Sequence, residues 1–500
     1  MMRRTVLPSL HNAPLCMKTP IKNLFLYTLI TGLGLVTAGR LTAQTITTLY
    51  SFTATFPYVT NSDGISPAGG VIFLDGTLYG TAAGGGSSAR GTVFAVSADG
   101  TAFTNLHNFP ETFGPDPSTN SEGASPTSGL ILLGNTLYGT APNGGTGGVG
   151  TVFTINTDGT GYTNLHIFSA IDGVGGTNAD GAYPYAGVIS VGNALYGMAA
   201  GGGILGVGTV FKVNTDGTGF TNLHNFTISD GANPSARLLF SGNTLYGTAA
   251  GGGANGNGTV FKINTDGTEF TNLYSFSTTF PFGTNNDGAS PFSGLILSSD
   301  TLYGTATVGG LAGVGTVFAL NTDGIGFTNL HSFTAFDPNN RTNSDGANPT
   351  AGLVLSGNTL YGTARTGGTN GYGTLFAVKT DGTGFQTLHS FAVSSGVFPE
   401  ATLTLSGNKL YGTAAGGGAN GNGTVFSLAL PPPQLTLIPA GANVILTWPT
   451  HAVGFTLQST TNLGASAVWT TNSPGPVVVN GQNTVTNPIS GLRKFYRLNQ

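Results

Sequence analysis

The chain has 500 residues, of which 82 are glycine, and Asp, Glu, Lys and Arg together make up 7%. In ordinary soluble domains, roughly a quarter of the residues are charged. So much glycine could indicate disorder, but 39% of the residues are hydrophobic and Phe and Tyr recur in register, so each segment has apolar surface to bury. Residues 44–430 carry 8 basic and 20 acidic residues, which excludes the basic stripe that a nucleic-acid partner requires.

The N-terminal segment has the pattern of an export signal. Four basic residues precede an uncharged apolar run over residues 24–38, and small residues follow up to Ala43. The run is too short to span a membrane comfortably. We predict a signal peptide over residues 1–43, with translation starting at Met1 or Met17, and a secreted, periplasmic or cell-surface protein without a transmembrane segment in the mature chain.

A tandem repeat fills most of the remaining chain. The tripeptide Leu-Tyr-Gly occurs seven times at spacings of 50 to 59 residues, with its tyrosine at Tyr79, Tyr138, Tyr196, Tyr246, Tyr303, Tyr361 and Tyr411. Each copy has the same order of segments, shown by residues 352–391. The first strand, GLVLSG, is short and apolar and ends at a Gly-Asn turn, and the second strand, TLYGTA, follows at once. A glycine-rich loop then leads to the third strand, GTLFAV. A Thr-Asp-Gly turn precedes the fourth strand, which is of the FTNLHSF type. Four antiparallel strands of five to seven residues at this period predict one propeller blade per copy.

Counting strands predicts how the ring closes. The last copy ends after its third strand and runs into the proline linker 431–433, whereas residues 46–52 (ITTLYSF) match the fourth strand and precede the first copy. If this N-terminal strand completes the last blade, no sheet edge stays open between the chain ends. We therefore predict an all-β fold with a seven-bladed β-propeller over residues 44–430.

The order of hairpin, Tyr-Gly, glycine-rich loop and Asp-Gly turn resembles kelch-like propellers in architecture, without the kelch double glycine and tryptophan. The segments LYGTA, GTVFKINTDGTGFTNLHNF and SDGANP resemble more closely the GloVer tandem repeat of exported "choice-of-anchor" bacterial proteins, over residues 45–428. The resemblance implies an exported repeat protein. It implies no activity and no catalytic residue.

Residues 434–500 predict a second domain. Short strands alternate with Gly, Asn and Pro turns, a pattern typical of a small β-sandwich of fibronectin-like type. The two tryptophans, Trp448 and Trp469, are predicted to form its core, and a docking or anchoring role is the functional alternative.

The fourth strand of the repeat carries a recurring histidine. It is found at His107, His166, His224, His331 and His389, with Tyr50 and Tyr274 at the two equivalent positions. Five histidines could indicate a metal site, but zinc needs ligands near 2.0 to 2.1 Å and equivalent residues of a propeller lie around its rim. We favour an amphipathic rim position that accepts His or Tyr.

The loop after the fourth strand carries an acidic residue four positions before a proline. These residues are Asp63, Glu122, Asp180, Asp230, Asp287 and Asp345, with Ser395 in the seventh copy. In a propeller they would surround one mouth of the channel, where six carboxylates could attract a cation such as calcium or hydrogen-bond to sugars. The alternative is that Asp-Gly and Asn-Asp make turns.

The sequence contains no nucleophile elbow, HExxH or CxxC, and GGGANGNG opens no helix. We therefore expect a monomeric, non-enzymatic scaffold without a cofactor, which binds a glycan or protein ligand through one propeller face. Variation in loop length on that face supports this hypothesis. The alternatives are a purely structural spacer and a carbohydrate-active propeller enzyme, which a pocket combining a histidine or arginine with carboxylates would favour.

Overall fold

The computed structural model describes residues 44, 46–56, 59–173, 175–431, 433–449, 455–463, 467–479, 482–489 and 493–499. The predicted signal peptide, 1–43, lies outside them. The described residues form 35 β-strands, β1 to β35, and one short 3-10 helix, Pro281–Gly283. The fold is all-β, as predicted.

The repeat forms four-stranded antiparallel sheets, which we number in chain order. Sheet 1 contains β2 (Ile72–Leu74), β3 (Thr77–Ala82), β4 (Thr92–Ser97) and β5 (Phe103–Asn108). Sheet 2 contains β6 (Ile131–Leu133), β7 (Thr136–Ala141), β8 (Thr151–Asn156) and β9 (Thr163–Ile167). Sheet 3 contains β10 (Ile189–Val191), β11 (Ala194–Ala199), β12 (Thr209–Asn214) and β13 (Thr221–Asn225). Sheet 4 contains β14 (Leu239–Ser241), β15 (Thr244–Ala249), β16 (Thr259–Asn264) and β17 (Thr271–Ser275).

The remaining copies follow the same order. Sheet 5 contains β18 (Ile296–Ser298), β19 (Thr301–Ala306), β20 (Thr316–Asn321) and β21 (Thr328–Ser332). Sheet 6 contains β22 (Val354–Ser356), β23 (Thr359–Ala364), β24 (Thr374–Lys379) and β25 (Gln386–Ser390). Sheet 7 contains β26 (Thr404–Ser406), β27 (Lys409–Ala414), β28 (Thr424–Ala429) and β1 (Ile46–Ser51). Thus the N-terminal strand pairs antiparallel with β28, as the strand count predicted.

The first strand of each sheet is shorter than the predicted five to seven residues. Only three residues pair with the second strand, from Ile72 to Leu74 in sheet 1 for example. The residues just before these strands approach the backbone of a neighbouring sheet instead. A Cβ atom added at Gly70 would lie 2.7 Å from the Thr402 carbonyl oxygen, and one at Gly187 would lie 2.6 Å from the Gly129 carbonyl oxygen.

The glycine of each Leu-Tyr-Gly tripeptide is explained by a phenylalanine on the next strand. Gly80 in β3 lies opposite Phe94 in β4, and a Cβ atom at Gly80 would be 2.6 Å from Phe94 Cζ. All seven copies repeat this pair, with corresponding distances of 2.4 to 2.7 Å. Because the tip of the buried ring occupies the position that a Cβ would fill, only glycine fits without displacing the ring.

The same phenylalanine–phenylalanine contact joins neighbouring sheets at every junction. The phenylalanine after a fourth strand packs edge-on, with centroids 5.2 to 5.5 Å apart, against the third-strand phenylalanine of the following sheet: Phe52–Phe94, Phe109–Phe153, Phe168–Phe211, Phe226–Phe261, Phe276–Phe318, Phe333–Phe376 and Phe391–Phe426. Sheet 7 meets sheet 1 through the same pair as the others, since Phe52 follows β1. This β-propeller-like arrangement buries most of its apolar surface between sheets.

A threonine hydroxyl adds a polar contact to several junctions. Thr81 Oγ1 donates to the Ser128 carbonyl at 2.8 Å, and Thr248 Oγ1 donates to the Ser293 carbonyl at 3.0 Å. Thr413 Oγ1 donates to the Gly69 carbonyl at 3.0 Å, which joins sheet 7 to sheet 1.

The C-terminal residues form two smaller antiparallel sheets. One contains β29 (Thr436–Ala440), β30 (Asn443–Pro449), β34 (Gln482–Pro488) and β33 (Val477–Val479), and the other contains β32 (Thr470–Thr471), β31 (Thr456–Thr460) and β35 (Phe495–Asn499). Trp448 is 1% exposed and packs in their shared apolar cluster. Trp469 is only half-buried, and the Arg497 guanidinium stacks on its ring at 4.4 Å.

Candidate functional site

The structure brings together the two sets of residues that the sequence singled out. Each acidic residue of the loop after a fourth strand bonds to the histidine or tyrosine of that strand, with distances of 2.7 to 3.2 Å: Tyr50–Asp63, His107–Glu122, His166–Asp180, His224–Asp230, Tyr274–Asp287 and His331–Asp345. In the seventh copy His389 lies 3.5 Å from Ser395 Oγ. We call these seven contacts the rim pairs.

The carboxylates of the rim pairs also hold the backbone of their own loop. Asp63 Oδ2 accepts from Tyr50 Oη at 2.7 Å and from the Thr53 amide at 2.8 Å, while Asp63 Oδ1 accepts from Thr53 Oγ1 at 2.5 Å. Asp287 has the same set of donors from Tyr274 and Ser277. Asp63 is 2% exposed and Asp287 is 5% exposed, so their oxygens face protein donors and little solvent.

Two of these carboxyl groups have a lowered pKa. Burial by itself raises the pKa of Asp180, but hydrogen bonds from His166 and Ser169 outweigh it. Asp345 is lowered in the same way, because bonds from His331 and Thr334 outweigh its burial. The hydrogen bonds favour the charged carboxylate.

The aromatic members of the rim pairs stack on the next sheet. Six of these rings stack face to face on an aromatic ring at, or one residue before, the start of the next sheet's fourth strand. The centroids are 3.6 to 4.2 Å apart in Tyr50–Phe103, His107–Tyr162, His166–Phe220, His224–Phe270, Tyr274–Phe327 and His331–Phe385. Burial lowers the pKa of His107, His224 and His389. Burial therefore favours the neutral form of these three histidines.

The rim pairs give the six acidic residues a role inside the fold. Within the part of the chain that the structure describes, no group of three or more His, Cys, Asp or Glu side chains is placed to hold a metal ion. The pairing supports the interpretation of the strand-four position as one that accepts His or Tyr.

An asparagine that the sequence reasoning missed supports each long loop. Asn61 Oδ1 accepts from the amides of Gly64 and Gly86 at 2.9 Å each, and its Nδ2 donates to the Gly64 carbonyl at 2.7 Å. Asn120, Asn178, Asn285 and Asn343 do the same in four other copies. In the two short loops a backbone carbonyl, that of Ile228 or Val393, accepts the corresponding glycine amide. In the sequence this residue is recognisable as an asparagine two positions before the acidic residue of the same loop.

A cavity of about 420 Å³ lies where the first strands of the sheets converge. Its lining comes from all seven sheets, mainly the three or four residues that follow the proline of each loop, and most of these are Gly, Ala, Ser or Thr. Phe292, 43% exposed, and Phe240, 37% exposed, add aromatic surface. The volume is within the range of about 300–1,000 Å³ of small-molecule sites.

The copies of the repeat differ from one another in the residues around the cavity. At the third position after the loop proline, five copies have glycine: Gly70, Gly129, Gly187, Gly294 and Gly352. Sheet 4 has Arg237 and sheet 7 has Thr402. The loops before these two sheets are also the two short ones.

Two charged side chains line this cavity, Arg237 and Glu400. Glu400 is engaged, because Arg365 Nε donates to Glu400 Oε1 at 2.5 Å and the Arg365 guanidinium stacks over Phe398 at 5.1 Å. The Arg237 side chain is accessible to water, yet protein surrounds most of it, and this burial lowers the pKa of its guanidinium. The sequence did not suggest this cluster, because the arginines are widely separated along the chain.

Comparison with known families agrees with the repeat geometry. The Gloeobacter/Verrucomicrobia repeat matches residues 30–177, 174–344 and 339–440. The chain belongs to this family. This match confirms the predicted GloVer resemblance. The matched residues contain sheets 1 to 7, the rim pairs and the cavity of this Gloeobacter/Verrucomicrobia repeat protein.

Three solved structures are similar to this chain at low sequence identity. A chain of the nidogen/laminin complex is 14% identical, with 58% of this chain and 86% of that chain covered and a TM-score of 0.35. An oligogalacturonate lyase in complex with manganese is 10% identical, with 74% and 88% covered and a TM-score of 0.43. TolB from Acinetobacter baumannii is 11% identical, with 59% and 58% covered and a TM-score of 0.33.

No curated protein matches the Gloeobacter/Verrucomicrobia repeat protein significantly. Among the residues that the structure describes, no helix has the length and apolar character needed to cross a membrane.

Proposed function

We propose that this chain is an exported binding scaffold, in which seven four-stranded blades close into a propeller and the central cavity receives a small ligand. The observation that carries the proposal is the cavity itself: all seven blades line it, and it is where the repeat departs from its pattern. A purely structural ring would need no difference between copies at its centre. Loop ends on a rigid scaffold are common binding positions.

Closure of the ring is supported by the junction contacts. The edge-on phenylalanine pair occurs between consecutive sheets and again between sheet 7 and sheet 1. The threonine-to-carbonyl hydrogen bond from Thr413 to Gly69 supports the same closure. In the C-terminal part, the cluster around Trp448 supports a small β-sandwich as the second domain.

Under this proposal the ligand binds in the cavity and not to the six acidic loop residues. The rim-pair carboxylates already accept hydrogen bonds from their own loops and strands, as Asp63 does from Tyr50 and Thr53. Binding a cation there would compete with these bonds.

Blocking the cavity tests the proposal. Thr350 lines the cavity at the position that two other copies fill with Tyr185 or Phe292, so Thr350→Trp should fold and occlude the space. The matched control is Ile325→Trp, in an exposed turn after β20. On a glycan array, the chain from residue 44 onward and the Ile325 variant should bind the same glycans and the Thr350 variant should bind none. Equal binding by all three proteins, or no binding by any, would contradict the proposal.

Export is tested separately. Expressed from Met1 or Met17 in a bacterium with an export pathway, the protein should reach the medium, the periplasm or the cell surface, and mass spectrometry should give a mature N-terminus directly after Ala43. A cytosolic protein that keeps residues 1–43 would contradict this part of the proposal.

A carbohydrate-active enzyme is the second candidate, and one observation favours it. Arg237 and Glu400 line the same cavity, which is the grouping of arginine and carboxylate that such an enzyme would need. Slow release of shortened products from a glycan bound on the array, lost in Glu400→Gln, would support it over simple binding.

A further inference from the structure

The strongest asymmetry in the cavity is the arginine of sheet 4. In five of the seven copies the equivalent residue is glycine, and there the inner strands approach closely: a Cβ atom at Gly129 would lie 3.0 Å from the Gly70 carbonyl oxygen. Thr402, the other exception, has a structural role, because its hydroxyl accepts from the Gly352 amide at 3.0 Å. Arg237 has no such role.

The guanidinium of Arg237 has no protein counter-ion. Within the described residues, its side chain makes no ion pair and no hydrogen bond, whereas Arg365 is paired with Glu400. The Arg237 side chain is exposed within the cavity, so a ligand can reach its guanidinium. The cavity therefore presents one positive charge that has no counter-ion among the described residues, and the half-exposed ring of Phe292 belongs to the same lining.

We propose that Arg237 binds the carboxylate of a small hydroxylated acid, of the sugar-acid class, inside the cavity. This inference rests on the proposed function, since it assigns the ligand class of the same cavity. The planar guanidinium matches a carboxylate with two parallel hydrogen bonds. One negative charge on the ligand balances the one free guanidinium.

Charge balance distinguishes a carboxylate from a phosphate. A phosphate monoester carries about 1.5 to 2 negative charges at pH 7. Arg237 would neutralise only one of these, because Arg365 is already paired with Glu400 and Arg237 is the only cation among the described residues that line the cavity. The remaining lining is mostly Gly, Ala, Ser and Thr, which leaves room for a small hydroxylated ligand, and the exposed ring of Phe292 can pack against the C–H groups of one sugar face.

Three sugars that differ only at carbon 6 test the proposal: glucose, glucuronate and glucose 6-phosphate. Isothermal titration of the chain from residue 44 onward should give glucuronate roughly 10-fold or more tighter binding than glucose, because a hydrogen bond to a charged group contributes about 1.5–3 kcal/mol. Glucose 6-phosphate should bind no better than glucuronate.

The variants separate a ligand contact from a structural effect. Arg237→Gly, which restores the residue of the other copies, should lower glucuronate affinity to that for glucose and leave glucose affinity unchanged. Arg237→Lys keeps the positive charge but lacks the planar guanidinium that forms two parallel hydrogen bonds, so its glucuronate affinity should be intermediate. Glu400→Gln should tighten glucuronate binding, since it leaves Arg365 without its counter-ion and so adds a positive charge beside the cavity. Arg341→Gly, in an exposed loop, is the matched control and should change nothing.

The outcomes also distinguish this inference from the function on which it rests. If array glycans bind and Thr350→Trp abolishes that binding, but Arg237→Gly leaves glucuronate affinity unchanged, the carboxylate assignment is wrong and the binding cavity stands. If glucose 6-phosphate binds tightest, the ligand class is wrong. If no sugar of the series binds while the array glycans do, the inference is also overturned.

Discussion

The junctions between sheets and the central cavity use the seven repeats in opposite ways. At the junctions every copy places the same groups: the edge-on phenylalanine pair at 5.2 to 5.5 Å and the rim pair, with one Ser395 exception among the acids. Around the cavity, sheets 4 and 7 differ from the other five through Arg237, Glu400 and Thr402. Identical contacts stabilise every junction to a similar degree, whereas differences between copies make one side of the cavity chemically unlike the other.

The largest expected effect comes from removing one junction together with its strand. A chain that starts at Thr53 lacks β1 and the residue after it, Phe52. Leu49 and Phe52 are buried between sheets 7 and 1, and Ile46 is buried between sheets 6 and 7. Compared with a chain that starts at Gln44, it should lose roughly 5 kcal/mol or more of unfolding free energy, since a single buried Phe→Ala change costs about 3–5 kcal/mol. Denaturant unfolding measures this. Coincident unfolding curves would show that the ring does not depend on closure by β1.

A single added methyl group tests the packing within one sheet. In Gly247→Ala the new Cβ would lie 2.5 Å from Phe261 Cζ, so the buried ring must move, at a cost of about 1–3 kcal/mol. Gly173→Ala is the control, because no atom lies within 4 Å of its Cβ position. Adding Phe261→Leu should recover part of the loss. Equal melting temperatures for the Gly247 and Gly173 variants would argue against the glycine–phenylalanine explanation.

Acidification should weaken the rim pairs in two separate pH ranges. Burial lowers the pKa of His107, His224 and His389, so the folded state binds a proton less readily than the unfolded chain, and stability falls as pH drops below about 6.5. Replacing these three with Tyr, as at Tyr50 and Tyr274, should remove this loss. The loss from Asp180 and Asp345, whose folded pKa is lowered, should remain, because it begins near the ordinary carboxyl pKa of about 4.

Unfolding curves at pH 7, 5.5 and 3.5 distinguish the two ranges. A triple-Tyr variant that loses as much stability between pH 7 and pH 5.5 as the native protein would contradict the assignment to the histidines.

The smallest effect is expected at the cavity. Arg237→Gly removes a side chain without a protein partner and restores the residue of five other copies, so the unfolding free energy should change by no more than about 0.5 kcal/mol. A loss above about 1 kcal/mol would place Arg237 among the residues that hold the ring together.

Much of the fold could be predicted from the sequence, because its signals are local and occur seven times. TLYGTA is a six-residue strand in five copies, and its two variants ALYGMA and KLYGTA are the same strand in the others. The Asp-Gly turns form as expected, with Asp158 Oδ1 accepting from the Thr160 amide at 2.9 Å. The pairing of β1 with β28 could be predicted as well, although about 380 residues separate them, because a missing strand and a spare strand are visible by counting.

The sequence by itself determined the repeat unit, the strand order, the turns and the all-β class, since hydrophobic alternation and turn chemistry act over a few neighbouring residues. Only the tertiary structure decided what the marked side chains contact. His166 and Asp180 lie 14 positions apart yet share a 2.9 Å hydrogen bond, and Arg237 and Glu400, 163 positions apart, line one cavity. Such contacts depend on how separate sheets converge around a centre, which no periodicity in the chain records.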